Sequence, residues 1–350
     1  MTPRRKILVY RLGSLGDTIV ALPCFHKIAE VFPDADRILL TNIPVSTKAA
    51  PLQAILGDSG LIGSYVSYPV GTRSLTELWK LSRTIRSLQV DTLVYLMPAR
   101  GRMNVIRDKY FFRVSGIPRI IGLPATHDLQ NNRVDPKTGI EERECERLAR
   151  TLFELGPINL ESTAAWNLML TEREIHRGQQ LIASVEAPLI AINMGGKAAQ
   201  KDWGIERWLL LLKQLGASFG DHALLVVGAA EDAERALLVG QAWPNTVIDA
   251  CGRLSPRESA AALRPARLFI GHDSGPLHLA SITGVPCIGL FGDFNKPAKW
   301  HPYGPGHQVI HNMDGVTAIS VDKVLNAATQ LLSSSGRERA SQTPSTCRQL

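Results

Sequence analysis

Short apolar, β-rich runs alternate with helical stretches along this chain, and after a polar link the alternation begins again. The first series is KILVYRL (6–12), RILLTN (37–42), SYVSYPV (64–70), DTLVYLMP (91–98) and RIIGLP (119–124). A helical pattern near 141–155 and the link precede the second series, 189–195, 223–229, 246–252, 267–273 and 286–292. Near-continuous apolar runs spaced by helices are what a parallel sheet needs, because its strands are buried on both faces. Two consecutive doubly wound α/β domains follow, with ligand sites expected at strand carboxyl ends and in the cleft between domains. At 350 residues the chain can bury two such cores. The boundaries read as an N-terminal Rossmann-like domain over 1–160, a linker region over 161–187 and a C-terminal Rossmann-like domain over 188–332. The polar, turn-rich stretch 333–350 is expected to be a disordered tail.

Charge and cysteine content narrow the partners. A net charge of +7 and a pI near 9.3 favour anions such as sugar nucleotides, phosphorylated glycans or an anionic membrane surface, and leave nucleic acid open. The five cysteines (Cys24, Cys145, Cys251, Cys287, Cys347) form no C-x-x-C pair, which points to free thiols in a reducing cytosol rather than a disulfide frame or zinc site. No apolar run approaches the ~18 residues of a membrane span, and Arg11, Ser14 and Asp17 interrupt the only stretch that begins like a signal peptide.

Three stretches carry chemistry. In YRLGSLGDTIVALP (10–23) a strand meets a turn bracketed by Gly13 and Gly16, then Asp17 and an amphipathic helix. It is neither a P-loop, which needs lysine after the second glycine, nor G-x-G-x-x-G. A carboxylate there suits a helix N-terminus, so Asp17 reads either as a cap or as a base facing the cleft. In FIGHDSGPLHLASITGVPCIGLFG (269–292), Asp273, Ser274, Gly275 and Pro276 describe a sharply begun helix. Free amides and a serine hydroxyl would suit a diphosphate there, with plain capping and a structurally packed His278 as the alternative. In NMGGKAAQKDWGIERW (193–208), a strand ends in two glycines and a loop carries Lys197 and Lys201, either of which could neutralise a leaving phosphate or simply be solvated. Glu231, in GAAEDAER (228–235), stands after a strand where an acid could bind ribose hydroxyls.

Taken together, R-x-G-S-L-G-D-x(4)-L-P at 11–23, K-D-W at 201–203 and D-S-G-P-L-H-L-A at 273–280 resemble the bacterial heptosyltransferase family, glycosyltransferase family 9. The likeness runs to about residue 330. It implies the GT-B architecture, two doubly wound Rossmann-like domains facing a central cleft, and transfer of heptose from an ADP-sugar to the lipopolysaccharide inner core. It further implies Asp17 as catalytic base and Lys201 as the phosphate-binding lysine. Gly16, Lys197, Glu231, Asp273, Ser274, Gly275, Pro276 and His278 would belong to the donor site. Transfer would invert configuration and need no metal or other cofactor, since Lys201 and the helix start take the part that metal ions play elsewhere. The Asp34–Asp36 D-x-D sits in a turn before the second strand and reads as solvated rather than as a manganese site. Such an enzyme would be cytoplasmic, with peripheral contact at the inner membrane and no nucleic-acid partner.

The acceptor side is read from PARGRMNVIRDKYFFR (98–113), which starts at a strand end. Arg100 and Arg102 are nearest that end and could grip an anionic glycolipid or glycan. The alternative there is a helix with a solvated basic face and core aromatics. Two other functions stay open at this stage: a transferase of the same fold using a UDP- or GDP-sugar and another acceptor, and a non-catalytic nucleotide- or glycan-binding module, which would have no need of Asp17.

Overall fold

The computed structural model describes residues 4–43, 50–72, 74–196 and 198–340, with side chains through Ser334. The first sheet contains β1 (Lys6–Tyr10), β2 (Asp36–Asn42), β3 (Ser64–Tyr68), β4 (Thr92–Tyr95) and β5 (Arg119–Ile121), all parallel in the order β3-β2-β1-β4-β5. The second contains β6 (Leu189–Asn193), β7 (Ala223–Val226), β8 (Val247–Asp249), β9 (Ala266–His272), β10 (Cys287–Phe291) and β11 (Gln308–His311). It too is parallel, in the order β8-β7-β6-β9-β10-β11. Each sheet has the third-second-first-fourth-fifth arrangement of a dinucleotide-binding fold, with a switch point between its first and fourth strands.

All ten apolar runs form strands; β4, β6, β7 and β10 are buried at every position, as strands covered on both faces require, whereas the edge strand β3 has no buried residue. Leu8, Leu40, Leu93 and Phe112 anchor one core, and Ile190, Ile192, Leu224, Leu268 and Ile270 the other. The added edge strand, β11, has only Val309 and Ile310 as apolar residues and gives little sequence signal. The single helix expected after Asp17 is two helices, Leu15–Ile19 and Leu22–Val31. Pro23, which lacks an N–H, sits in the first turn of the second.

The chain divides into two compact units. One is Met1–Gly178 with Leu254–Ala261 and Asn295–His301; the other is Gln179–Arg253, Ala262–Phe294 and Pro302–Leu350. Two segments past residue 188 thus pack with the first unit, unlike the boundaries expected from sequence. Arg257 explains one of them: its buried guanidinium donates to the carbonyls of Ile55, Leu56, Leu168 and Met169 and pairs with Glu174 at 2.5 Å. At the C-terminus the helix Val321–Ala340 continues past 333, where the sequence reading starts the tail. Residues 337–340 (RERA) are good helix formers, and no proline stops the helix. Positions 341–350 lie outside the described residues.

Candidate functional site

In the first unit, β1 and β4 lie side by side at the switch point, with Tyr10 opposite Tyr95. Past Tyr10, the fully buried Arg11 donates to the carbonyls of Leu96 and Asp17 and ties the turn to the end of β4. Gly13 donates to Asn42 Oδ1 at 3.0 Å, and the Asp17 side chain folds back over it. A Cβ at Gly13 would lie 2.5 Å from Asp17 Cβ, so only glycine fits. Asp17 Oδ2 accepts from Ser14 N at 2.8 Å and from Ser14 Oγ at 3.0 Å, forming the carboxylate half of a capping box. Asp17 Oδ1 has no hydrogen-bond partner among the described residues. One oxygen therefore caps and orients while the other stays available. Gly16 is buried in the same short helix.

At the end of β4, Arg100 is held and not loose. Its Nη1 donates to Asp108 Oδ2 at 2.9 Å and to Tyr10 Oη at 3.2 Å; Tyr10 in turn shares a 2.6 Å hydrogen bond with Tyr68. Asp108 also accepts from Tyr95 Oη at 2.8 Å and from Arg107. Burial works against the charge on Arg100, but Tyr10 and Asp108 raise its pKa above the ordinary value. Arg102, by contrast, is exposed at the first position of the helix Arg102–Val114. The three aromatics of this helix divide: Phe112 is core, Phe111 is half-buried and Tyr110 is 66% exposed.

In the second unit the switch point lies between β6 and β9. β6 ends at buried Asn193, whose Nδ2 donates to Val227 O at 2.8 Å, leaving Oδ1 to accept from Ser274 Oγ at 3.0 Å. The Ser274 hydroxyl hydrogen is thus engaged by Asn193. The donors left in the first turn of the helix Gly275–Ser281 are the Gly275 and Leu277 amides, since Pro276 has none. Lys201 Nζ stands 2.7 Å from Asp273 Oδ2 and 4.5 Å from the Phe294 ring centroid. Its side chain is only 18% exposed, so it is not a solvated loop lysine.

Neighbouring side chains lock this lysine's backbone. Asp202 accepts from Arg235 at 2.9 and 3.0 Å and from Gly204 N at 3.0 Å. Trp203 is fully buried, its indole donating to Ile319 O at 2.9 Å and its amide to His272 Nε2 at 3.2 Å. Trp208 donates to the same ring nitrogen at 3.3 Å. An Nε2 that accepts two hydrogen bonds carries no proton, and burial accordingly lowers the pKa of His272 to about 4. In K-D-W, then, the lysine faces Asp273 while its two successors fix the loop.

The remaining predicted residues are dispersed. Glu231 is exposed in the turn Ala230–Asp232 after β7, whereas Asp232 beside it is buried and accepts from Ala229 N at 2.8 Å. A Cβ at Gly195 would stand 2.2 Å from Asp232 Oδ2, so that glycine makes room for this carboxylate. His278 is buried within its helix. Lys197 lies outside the described residues. Asp34 and Asp36 sit at the amino end of β2, where Arg4 donates to Asp34 O at 2.6 Å and lies 3.6 Å from Asp36. Sequence reasoning missed Asn193, His272 and the Asp202–Arg235 pair; a polar residue closing an otherwise apolar strand was the available sign for the first two.

Against this geometry, a family model described as glycosyltransferase family 9 (heptosyltransferase) matches residues 104–325. The chain is similar to the lipopolysaccharide core heptosyltransferase OpsX of Haemophilus influenzae, with 24% identity over 327 residues, 90% of this chain and 84% of that protein. It is also similar to the solved structure of a family 9 glycosyl transferase from Veillonella parvula, with TM-score 0.73 and 23% identity, covering 95% of this chain and 99% of that one. For the Escherichia coli ADP-heptose lps heptosyltransferase II the TM-score is 0.66 and the identity 19%, with the same coverages. The fold is GT-B, with two doubly wound parallel-sheet domains.

Proposed function

Because the chain belongs to glycosyltransferase family 9 and is a glycosyltransferase, we propose that it moves heptose from ADP-heptose to a hydroxyl of a lipopolysaccharide core, at the cytoplasmic face of the membrane. One observation carries the donor side of this reading: Lys201, paired with Asp273 at 2.7 Å, on a loop locked by Arg235 and His272 beside the first turn of Gly275–Ser281. A fixed cation and free amides at a strand end suit a diphosphate. On the acceptor side the free oxygen of Asp17 takes the proton from the attacking hydroxyl. The new bond forms between that oxygen and the anomeric carbon as the bond from that carbon to the β-phosphate oxygen breaks. Its electron pair leaves with ADP, where Lys201 stabilises the charge. Attack from the opposite face inverts configuration, and a lysine in this role makes a metal ion unnecessary. Arg100 and Arg102 contact anionic groups of the acceptor, and Glu231 the donor ribose.

Calorimetric titration with ADP, GDP and UDP, each with and without EDTA, tests the reading. Selective, EDTA-insensitive ADP binding is the expected result. Preference for GDP or UDP moves the donor away from ADP-heptose, and a requirement for metal overturns the lysine's role.

A further inference from the structure

The helix Arg102–Val114 has a second face that the transfer reaction does not use. Its inner face packs Val105 and Phe112 into the core, while Met103, Ile106, Tyr110 and Val114 recur at helical spacing on the outside. These four are 79%, 38%, 66% and 66% exposed, an unusual amount of apolar side chain for one short helix left in water. At 100° per residue, Lys109 and Arg113 flank this stripe on one side and Arg107 on the other, all three exposed. The neighbouring helix Leu75–Leu88 extends the surface: Leu75 (82% exposed), Trp79 (58%) and Arg86 share one of its faces, and Arg86 donates to Val114 O.

An apolar stripe bordered by cations, with tyrosine within it and tryptophan on the neighbouring helix, fits the headgroup boundary of an anionic bilayer. We propose that this outer face of the first unit docks on an anionic membrane surface. Charge complementarity selects that occupant over a second copy of the chain, because two such basic faces repel. The helix begins just past β4, at the strand end that also presents Arg100, so docking would hold the acceptor-side residues near lipid. The proposal deepens the transferase reading, on which its membrane setting rests, by naming the face that docks, and its test needs neither donor nor acceptor.

Flotation of the full chain with vesicles tests it, comparing pure phosphatidylcholine with phosphatidylcholine containing phosphatidylglycerol. Binding only to the anionic vesicles, weakened by salt, is expected. The combined variant Met103→Ser, Tyr110→Ser, Val114→Ser should weaken partitioning about tenfold or more, and Lys109→Gln with Arg113→Gln should flatten the salt dependence. All these side chains are exposed, and thermal melts of each variant verify that the fold is kept. Absence of binding to anionic vesicles, or variants that bind like the wild type, overturns the proposal. Loss of a wild-type dimer on sedimentation of the serine variant, without vesicle binding, would assign the face to a second copy instead. The vesicles hold no glycolipid, so none of these failures touches the transfer reading, which nucleotide titration judges separately.

Discussion

The two switch points share one backbone topology and carry opposite chemistry. Where β1 meets β4, the group presented is a carboxylate with one oxygen spent on Ser14 and one free. Where β6 meets β9, it is a lysine already in contact with a carboxylate, on a loop fastened by three side chains. A parallel sheet supplies a crevice and helix starts, while the sign of the site comes from a few residues just beyond the strands. The comparison predicts a division of labour, base on the first sheet and anion binding on the second, and each limb can be broken separately.

The largest effect is expected at Asp17. Asp17→Asn keeps an oxygen to accept from Ser14, so the cap survives while the base is lost; turnover should fall by about 10² to 10⁴ with ADP affinity nearly unchanged. Near-normal turnover in that variant, measured by product formation at saturating substrates, would reduce Asp17 to its capping role. Next in size is Asp108, whose carboxylate answers Arg100, Arg107 and Tyr95. Asp108→Ala strands a half-buried guanidinium and a buried phenol, and urea unfolding should show a loss of about 3 kcal/mol. If acceptor KM also rises, Arg100 is confirmed on the acceptor side; a stability loss alone leaves the network a scaffold.

Much of this contrast was legible in the sequence, and the unread part has a common cause. Strands buried on both faces write themselves as apolar runs, and Ser14 three residues before Asp17 is a local signature, as are K-D-W and D-S-G-P. Pairings that cross the chain leave no such mark. Ser274 finds Asn193 from 81 residues away, and Arg257 finds main-chain carbonyls, which look alike whatever side chain they carry. For that reason nothing in the sequence marks Leu254–Ala261 as packing with the first unit. Tyr10, Tyr68 and Arg100 likewise come from three separate strand ends and meet only in the fold.

A comparable effect distinguishes the sheets by pH. His272 has a pKa of about 4 when folded against an ordinary 6.5, so the unfolded chain takes up a proton first as the solution is acidified. Stability from this group is complete above pH 6.5 and is lost as pH falls toward 4, by on the order of 3 kcal/mol. His307, also lowered to about 4 by burial, adds in the same direction. Both belong to the second unit. Urea unfolding followed by tryptophan fluorescence at pH 7 and pH 4.5 should show the decline, and His272→Gln should flatten it. An unchanged slope in that variant would place the acid sensitivity elsewhere.

Lys201→Ala is the finest test, because the lysine's charge is shared with Asp273 before any ligand arrives. Binding must exchange one anionic partner for another, so the net gain from the ammonium is a fraction of its direct attraction to phosphate. ADP affinity should therefore fall only about tenfold, with turnover falling further because negative charge grows on the leaving group. Asp273→Asn inverts the logic: with its partner neutral, Lys201 loses a competitor, and ADP should bind no more weakly than to the wild type unless that carboxylate itself orients the donor. Calorimetry on both variants and on Lys197→Ala decides which lysine serves the diphosphate. A defect confined to Lys197→Ala would move the anion site along the loop and leave Lys201 as a structural partner of Asp273.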